Sequence, residues 1–287
     1  MKLNLFALYD QNTSMSEDID IVSLTADICQ TSNSIEYGLM RCEEMLAIHS
    51  CVKTYGSTEA LVALYGSNFS VSTEGIKETY QKVVAWIKKK LKELGILFLK
   101  LVRWIKTKVL RMKDNRQPAK NPVKFPYQPD DIKKYIKAVG DYYHHIRRFC
   151  SPGHVFGISN EFKEFEEWYD QGIKVGKPKQ QDTPVVLTAS TANSLQKDVE
   201  AGIKEMTADV EQKFPALIKA MESQKTLAEL QGDFSKDDEG GASQHEYAES
   251  LRRIKKAIHI LQIEATAEAS RIAFLTSVIN HLTEPKA

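Results

Sequence analysis

One apolar stripe constrains the fold of this chain more than any other feature. Between residues 76 and 109, apolar side chains recur in steps of three and four residues without a break. The stripe consists of Ile76, Tyr80, Val83, Ile87, Leu91, Leu94, Phe98, Leu101, Ile105 and Val109. This spacing predicts one long α-helix with Lys and Arg on its opposite face. Because isolated helices are marginally stable in water, such a face needs other helices to cover it.

Helical spacing also dominates the rest of the chain, and no Val/Ile/Thr alternation indicates a substantial sheet. We expect two or three modest helices within residues 17–65, one helix from Asp130 or Asp131 to about Cys150, and a short aromatic helix over 159–175. Two long helices follow, at about 190–230 and 243–282, joined by a polar connector. They predict a long antiparallel helical hairpin over 190–282. The predicted fold class is therefore all-α.

Charge is strongly segregated although the whole chain of 287 residues carries only +1. Residues 1–74 hold 10 acids and 3 bases, whereas residues 75–116 hold 13 bases and 3 acids. The overall balance excludes a globally polybasic nucleic-acid binder and an acidic disordered tail. The sign change at Glu74/Gly75 is the sharpest boundary in the sequence.

We divide the chain at this boundary and at a Pro-rich segment. Pro118, Pro122 and Pro126 prevent a helix, so this segment is interpreted as an extended linker. The predicted parts are an acidic helical region (1–74), a basic amphipathic helix (75–116), a Pro-rich linker (117–129) and a helical domain with the long hairpin (130–287).

The common catalytic and ligand-binding motifs are absent. The sequence contains no GxGxxG, GxxxxGK[ST], HExxH, GxSxG or EF-hand loop. The nearest approach to a metal site is His144, His145, Cys150 and His154, but adjacent helical histidines point to different faces, so we interpret them as polar surface groups. Residues 94–105 include Lys100 and Arg103 and are too short to cross a bilayer. We therefore predict no enzyme activity, no cofactor, no metal and no transmembrane span.

The basic helix allows several interpretations. Lys88, Lys89, Lys90 and Lys92 are candidates for phosphate contact, and a basic amphipathic helix is also suited to an anionic membrane surface. A third interpretation is a solvated face against which the acidic first quarter packs. Trp86 and Trp104, five turns apart near the edge of the stripe, are expected in the core.

The boundary segment carries a resemblance. Ser72-Thr73-Glu74, followed by Gly75 and a Lys-rich helix with Trp, resembles the maturation site of internal head (inner-body or prohead core) proteins of giant tailed phages. In that family a small residue, any residue and then Glu mark the cut made by the prohead protease, which removes an acidic helical propeptide. The resemblance implies cleavage before Gly75, which would raise the formal charge from +1 to +8.

The resemblance further implies a non-enzymatic structural protein of the virion, made in the host cytoplasm and located in the phage head. Its partners would be the prohead protease, other head proteins and packaged DNA, bound without sequence preference. An acidic leader paired with the basic helix would prevent early phosphate binding. The alternatives are a membrane-active amphipathic protein acting on an anionic membrane surface and a helical adaptor.

Overall fold

The computed structural model describes residues 20–55, 73–149, 176–222 and 244–285. These residues form five helices: α1 (Ile21–Tyr55), α2 (Thr73–Asn115), α3 (Pro129–Phe149), α4 (Ala189–Glu222) and α5 (Gln244–Leu282). They also form four short strands: β1 (Arg116–Pro118), β2 (Val123–Phe125), β3 (Val185–Leu187) and β4 (Thr283–Pro285). The predicted all-α class is confirmed. The aromatic helix expected over 159–175 lies outside the described residues.

Helix α1 is one continuous helix where the sequence predicted two or three, and the end of that region, 56–65, lies outside the described residues. The polar residues 31–34 continue as helix, and even Ser32 is fully buried. The reason is tertiary packing: apolar side chains before and after this run lie on one face, and burial of that face against α2 outweighs weak local helix propensity.

Helix α2 is the centre of the bundle, and most of its predicted apolar stripe is buried. Val83 is only half-buried, whereas its neighbour Val84 is fully buried, and the side chains of Ile76 and Val109 lie outside the described residues. The most extensive interface of α2 is with α1, and α4 and α5 cover the rest. Trp104 is buried as expected, whereas Trp86 remains 37% exposed. The fully buried side chains on this side of α2 are Tyr80, Val84, Ile87, Leu91, Leu94, Phe98, Leu101 and Ile105.

Helices α4 and α5 pack on each other with opposite directions. The Asn193 amide at the beginning of α4 donates to the carbonyl of Ala119 (3.1 Å), and the neighbouring Lys120 N–H donates to Glu284, just past the end of α5 (3.0 Å). The start of α4 and the end of α5 therefore lie at the same end of the bundle. The connector between them, 223–243, lies outside the described residues.

The Pro-rich segment is extended, as predicted, but it is packed onto the bundle. Strand β1 pairs antiparallel with β4, and β2 pairs antiparallel with β3. Ala119, Phe125 and Tyr127 are buried. Backbone N–H groups of Lys120 and Asn121 donate to the Glu284 carboxylate and lower its pKa. This segment thus joins the α2 end to the helical hairpin through short strand ladders.

Gly38 allows α1 and α2 to approach closely. A Cβ at this position would lie 2.7 Å from the Trp86 ring and 2.8 Å from Ile87 Cγ1, distances that real Cβ contacts do not reach. Ile87 is fully buried, so it has no space to move away. Gly38 therefore fixes both the helix spacing and the position of the Trp86 ring.

Gly38→Ala is expected to lower the free energy of unfolding by about 1–3 kcal/mol, because the added methyl overpacks this interface. Gly140→Ala in α3 is the matched control: nothing lies within 4 Å of its Cβ position, and the change should be neutral or stabilising by up to about 1 kcal/mol. Urea unfolding followed by circular dichroism measures both. Equal stability of the two variants would contradict the close approach.

Candidate functional site

The candidate phosphate-binding residues do not all lie on one face of α2. Lys89 and Lys92 are exposed and Lys88 is half-buried, and helical spacing places the three within about 100° of the helix circumference. No carboxylate of the described residues forms an ion pair with any of them. We call Lys88, Lys89 and Lys92 the lysine face.

Lys90 is different, because its ammonium lies 2.5 Å from the Glu93 carboxylate on the side of α2 that faces α1. Other bases of α2 also have partners: Lys82 lies 2.6 Å from Glu78, and Lys106 lies 2.7 Å from Glu211 of α4. The lysine face is therefore a part of the basic helix whose positive charge is not balanced by an acid of the described residues, and the same holds for Lys100 and Lys108 nearer its end.

Helix α1 does not cover this face with acids. Within the described residues, α1 meets α2 through apolar side chains, and no α1 carboxylate pairs with an α2 lysine. Glu43 instead binds Lys255 of α5, and Glu44 pairs with Arg41 within α1 at 2.8 Å. The expected pairing of an acidic leader with the basic helix is thus not seen in this part of the chain.

The predicted cleavage site lies at the start of α2. Ser72 is outside the described residues, and Thr73 is the first residue of the helix, so Glu74 and Gly75 belong to its first turn. A protease needs an extended chain, and the first turn of a helix is where such a chain is most easily released. A cut at this point would separate α1 from α2 in sequence.

A shallow groove lies along α1 beside Trp86 of α2. Its volume is about 700 Å³, and it opens widely to solvent. Two aromatic rings border it, Tyr37 of α1 (59% exposed) and Trp86 of α2 (37% exposed). The remaining lining residues are Ala26, Cys29, Gln30, Asn33 and Ser34. Sequence reasoning missed this groove, because only the packing of α1 on α2 brings Trp86 beside Tyr37.

A buried polar cluster lies between α3 and α5. Glu264 is fully buried, accepts a hydrogen bond from the Tyr142 hydroxyl, and has Arg271 Nη1 3.5 Å from its other oxygen. Arg271 also stacks over the Tyr142 ring at 4.8 Å. Burial raises the pKa of Glu264, while Arg271 and the Tyr142 hydrogen bond oppose that rise. The cluster ties the two helices together at this point.

Glu268 is the unusual member of the cluster. It is fully buried, and neither carboxylate oxygen has a hydrogen-bond partner among the described residues. Burial raises its pKa to about 8, with Arg271 opposing the rise. Sequence reasoning missed it although its spacing was a signal: Glu268 stands three residues after Ala265 and four before Ile272, directly on the apolar stripe of α5.

The described residues contain no group of three or more ligand-type side chains suited to a metal ion. The side chains of His144 and His145, and the whole of Cys150 and His154, lie outside the described part of the chain. No helix in the described ranges is long and apolar enough to cross a membrane.

Comparison of the chain with protein-family models, with curated proteins and with solved structures gives no match in any of the three.

Proposed function

We propose that this chain is a non-enzymatic, helical structural protein that binds double-stranded DNA without sequence preference through the lysine face. The observation that carries this proposal is that Lys88, Lys89 and Lys92 point away from the core with no balancing acid among the described residues. The opposite side of α2 is buried in the bundle, so the lysines project from a helix that is held in place by its packing. Such charges neutralise phosphates and release counterions without reading bases.

The biological setting that we propose is the interior of a tailed-phage head, reached from the host cytoplasm. Its support is the Ser72-Thr73-Glu74 motif at the charge boundary, which resembles a prohead-protease site. In this setting the chain contacts packaged DNA and other head proteins, and a cut before Gly75 accompanies maturation. Finding only uncut chains in mature particles by peptide mapping would remove the maturation step.

Replacing Lys88, Lys89 and Lys92 together by Gln is expected to weaken binding of the full chain to double-stranded DNA and to reduce its salt dependence. If all three contact phosphate, the slope of log K against log salt falls by up to about 3 units, because each contact contributes roughly 0.9. Fluorescence anisotropy of a labelled duplex, titrated at several salt concentrations, measures both quantities.

The matched control neutralises three exposed lysines elsewhere, Lys124, Lys133 and Lys137. It removes the same total charge, so the lysine face is supported only if the control keeps a steeper salt slope. Equal effects of the two triple variants would mean that net charge alone attracts DNA. Absence of DNA binding by the parent chain at low salt would overturn the proposal.

The membrane alternative requires the apolar side of α2 to insert into a bilayer. In this fold that side is covered by α1, α4 and α5, so it is not free to do so without opening the bundle. Flotation with anionic liposomes tests it directly. A chain that floats with the liposomes and ignores DNA would favour the membrane surface.

A further inference from the structure

We infer that the groove between Tyr37 and Trp86 is a stacking site for unpaired bases of single-stranded nucleic acid. This inference rests on the proposed function, since the lysine face would hold the phosphates of the same strand. It adds a second mode of recognition, through base faces, which a duplex does not offer because its bases are stacked on each other.

The two aromatic rings are placed where bases could stack on them. Tyr37 and Trp86 belong to different helices, both remain exposed, and both line the same groove. Contact with Gly38 holds the Trp86 ring against α1, so its position is fixed. Exposed aromatic side chains are the platforms on which single-stranded nucleic-acid binders stack successive bases, with little dependence on sequence.

Polar groups in the groove are suited to base edges. The side-chain amide of Gln30 has no hydrogen-bond partner among the described residues, and Asn33 uses only its carbonyl oxygen, which accepts from Gln262 at 3.2 Å. Free amide donors and acceptors bond the edges of unstacked bases. The volume of about 700 Å³ lies in the range of small-molecule sites, about 300–1,000 Å³.

Three basic side chains lie near the rings. Lys82 and Lys89 lie about one helical turn on either side of Trp86, and the Arg41 guanidinium lies 5.9 Å from the Tyr37 ring centre. Lys82 and Arg41 form exposed ion pairs with acidic neighbours. Exposed ion pairs contribute little to stability, so a phosphate can replace the carboxylate. Lys89 has no such partner in the described residues. These basic groups, and Lys89 above all, favour an anionic strand over an apolar peptide as the occupant.

The test compares two probes that share the anionic charge but differ in bases: oligo(dT) and inorganic polyphosphate. For the full chain, Tyr37→Leu and Trp86→Leu are each expected to weaken oligo(dT) binding about tenfold, since base–aromatic stacking contributes on this scale. Polyphosphate binding should be unchanged. Oligo(dT) should quench tryptophan fluorescence in the parent chain, and the quenching should be reduced in Trp86→Leu.

Ile96→Ala is the matched control, because Ile96 lies on α2 with 38% exposure outside the groove. Circular dichroism and urea unfolding establish that each variant is folded before binding is measured. If Trp86→Leu is unstable, Tyr37→Leu, at the more exposed ring, still tests the loss of oligo(dT) binding.

Three results would overturn the inference. If both aromatic variants bind oligo(dT) like the parent chain while the lysine-face variant loses it, binding is through the backbone alone and the proposed function stands. If the parent chain binds neither probe nor duplex DNA, the proposed function fails as well. If the aromatic variants lose a dimer and nothing else, the groove accepts a second copy of this chain.

Discussion

A fragment of residues 75–287, produced without residues 1–74, is expected to lose cooperative folding and to aggregate. Helix α1 contributes a complete apolar face to the core, and its loss would expose the facing side of α2. The buried apolar residues of α1 are Leu24, Ile28, Ile35, Leu39 and Cys42. Each buried side chain of this kind is worth roughly 1.5–3 kcal/mol, whereas a whole domain has a net stability of about 5–15 kcal/mol.

Co-production with a fragment of residues 1–74 should restore a soluble complex, because the interface is apolar and needs no covalent connection. Ile28→Asp in that fragment should prevent the rescue, while Val22→Asp, at a position that is 72% exposed, should not. Solubility, gel filtration and urea unfolding measure the outcome. A fragment of residues 75–287 that is soluble and unfolds cooperatively by itself would contradict the role assigned to α1.

This expectation changes how the proposed maturation would work. If the chain is cut before Gly75, α1 should stay bound through its apolar face. The lysine face does not need its removal, since no described acid of α1 pairs with Lys88, Lys89 or Lys92. The full chain is therefore expected to bind DNA already, whereas the charge difference between +1 and +8 suggested weaker binding before cleavage.

The long helices could be predicted from the sequence, because the apolar residues that recur at helical spacing are the ones that pack in the bundle. The α2 stripe, the hairpin of α4 and α5, and the extended backbone around Pro118 all follow from local patterns. The continuity of α1 did not follow, because it depends on burial against another helix. Adjacent runs of opposite charge suggested that α1 and α2 attract each other electrostatically, yet their contact is apolar.

The candidate site was predictable only in part. The lysines were visible as a run, but only helix geometry separates Lys90, paired with Glu93, from the lysine face. The groove depends on Gly38, whose role is defined by a contact with a helix about fifty residues away in sequence. Long-range juxtapositions of this kind leave no local pattern.

The stability of the full chain is expected to fall as pH rises from about 5 to 8, and Glu268 is the main cause. Its pKa is about 8 in the folded state, against an ordinary value of 4.5, because burial disfavours the charged carboxylate. Between these values the unfolded chain releases a proton that the folded chain keeps. The contribution of protonated Glu268 to the free energy of unfolding is fully present below pH 4.5. It is lost as pH rises towards 8, at up to about 1.4 kcal/mol per pH unit.

The groups that face Glu268 set this behaviour. Arg271 lies on the same helix and opposes the rise, and Glu264 shifts in the same direction as Glu268, so its contribution has the same sign. Tyr135 and Tyr142 face the cluster from α3, and burial raises the pKa of Tyr135 above its ordinary value of 10.0, so it stays neutral throughout this range.

Glu268→Gln tests the assignment, since the amide keeps the shape of the protonated acid and does not ionise. The variant should match the parent chain near pH 5 and exceed it at pH 8 by several kcal/mol, on the order of 4, in urea unfolding. Glu44→Gln removes the same charge at an exposed carboxylate on α1 and is the control. A parent chain equally stable at pH 5 and pH 8 would mean that Glu268 is charged in the folded protein and has found a partner for its carboxylate.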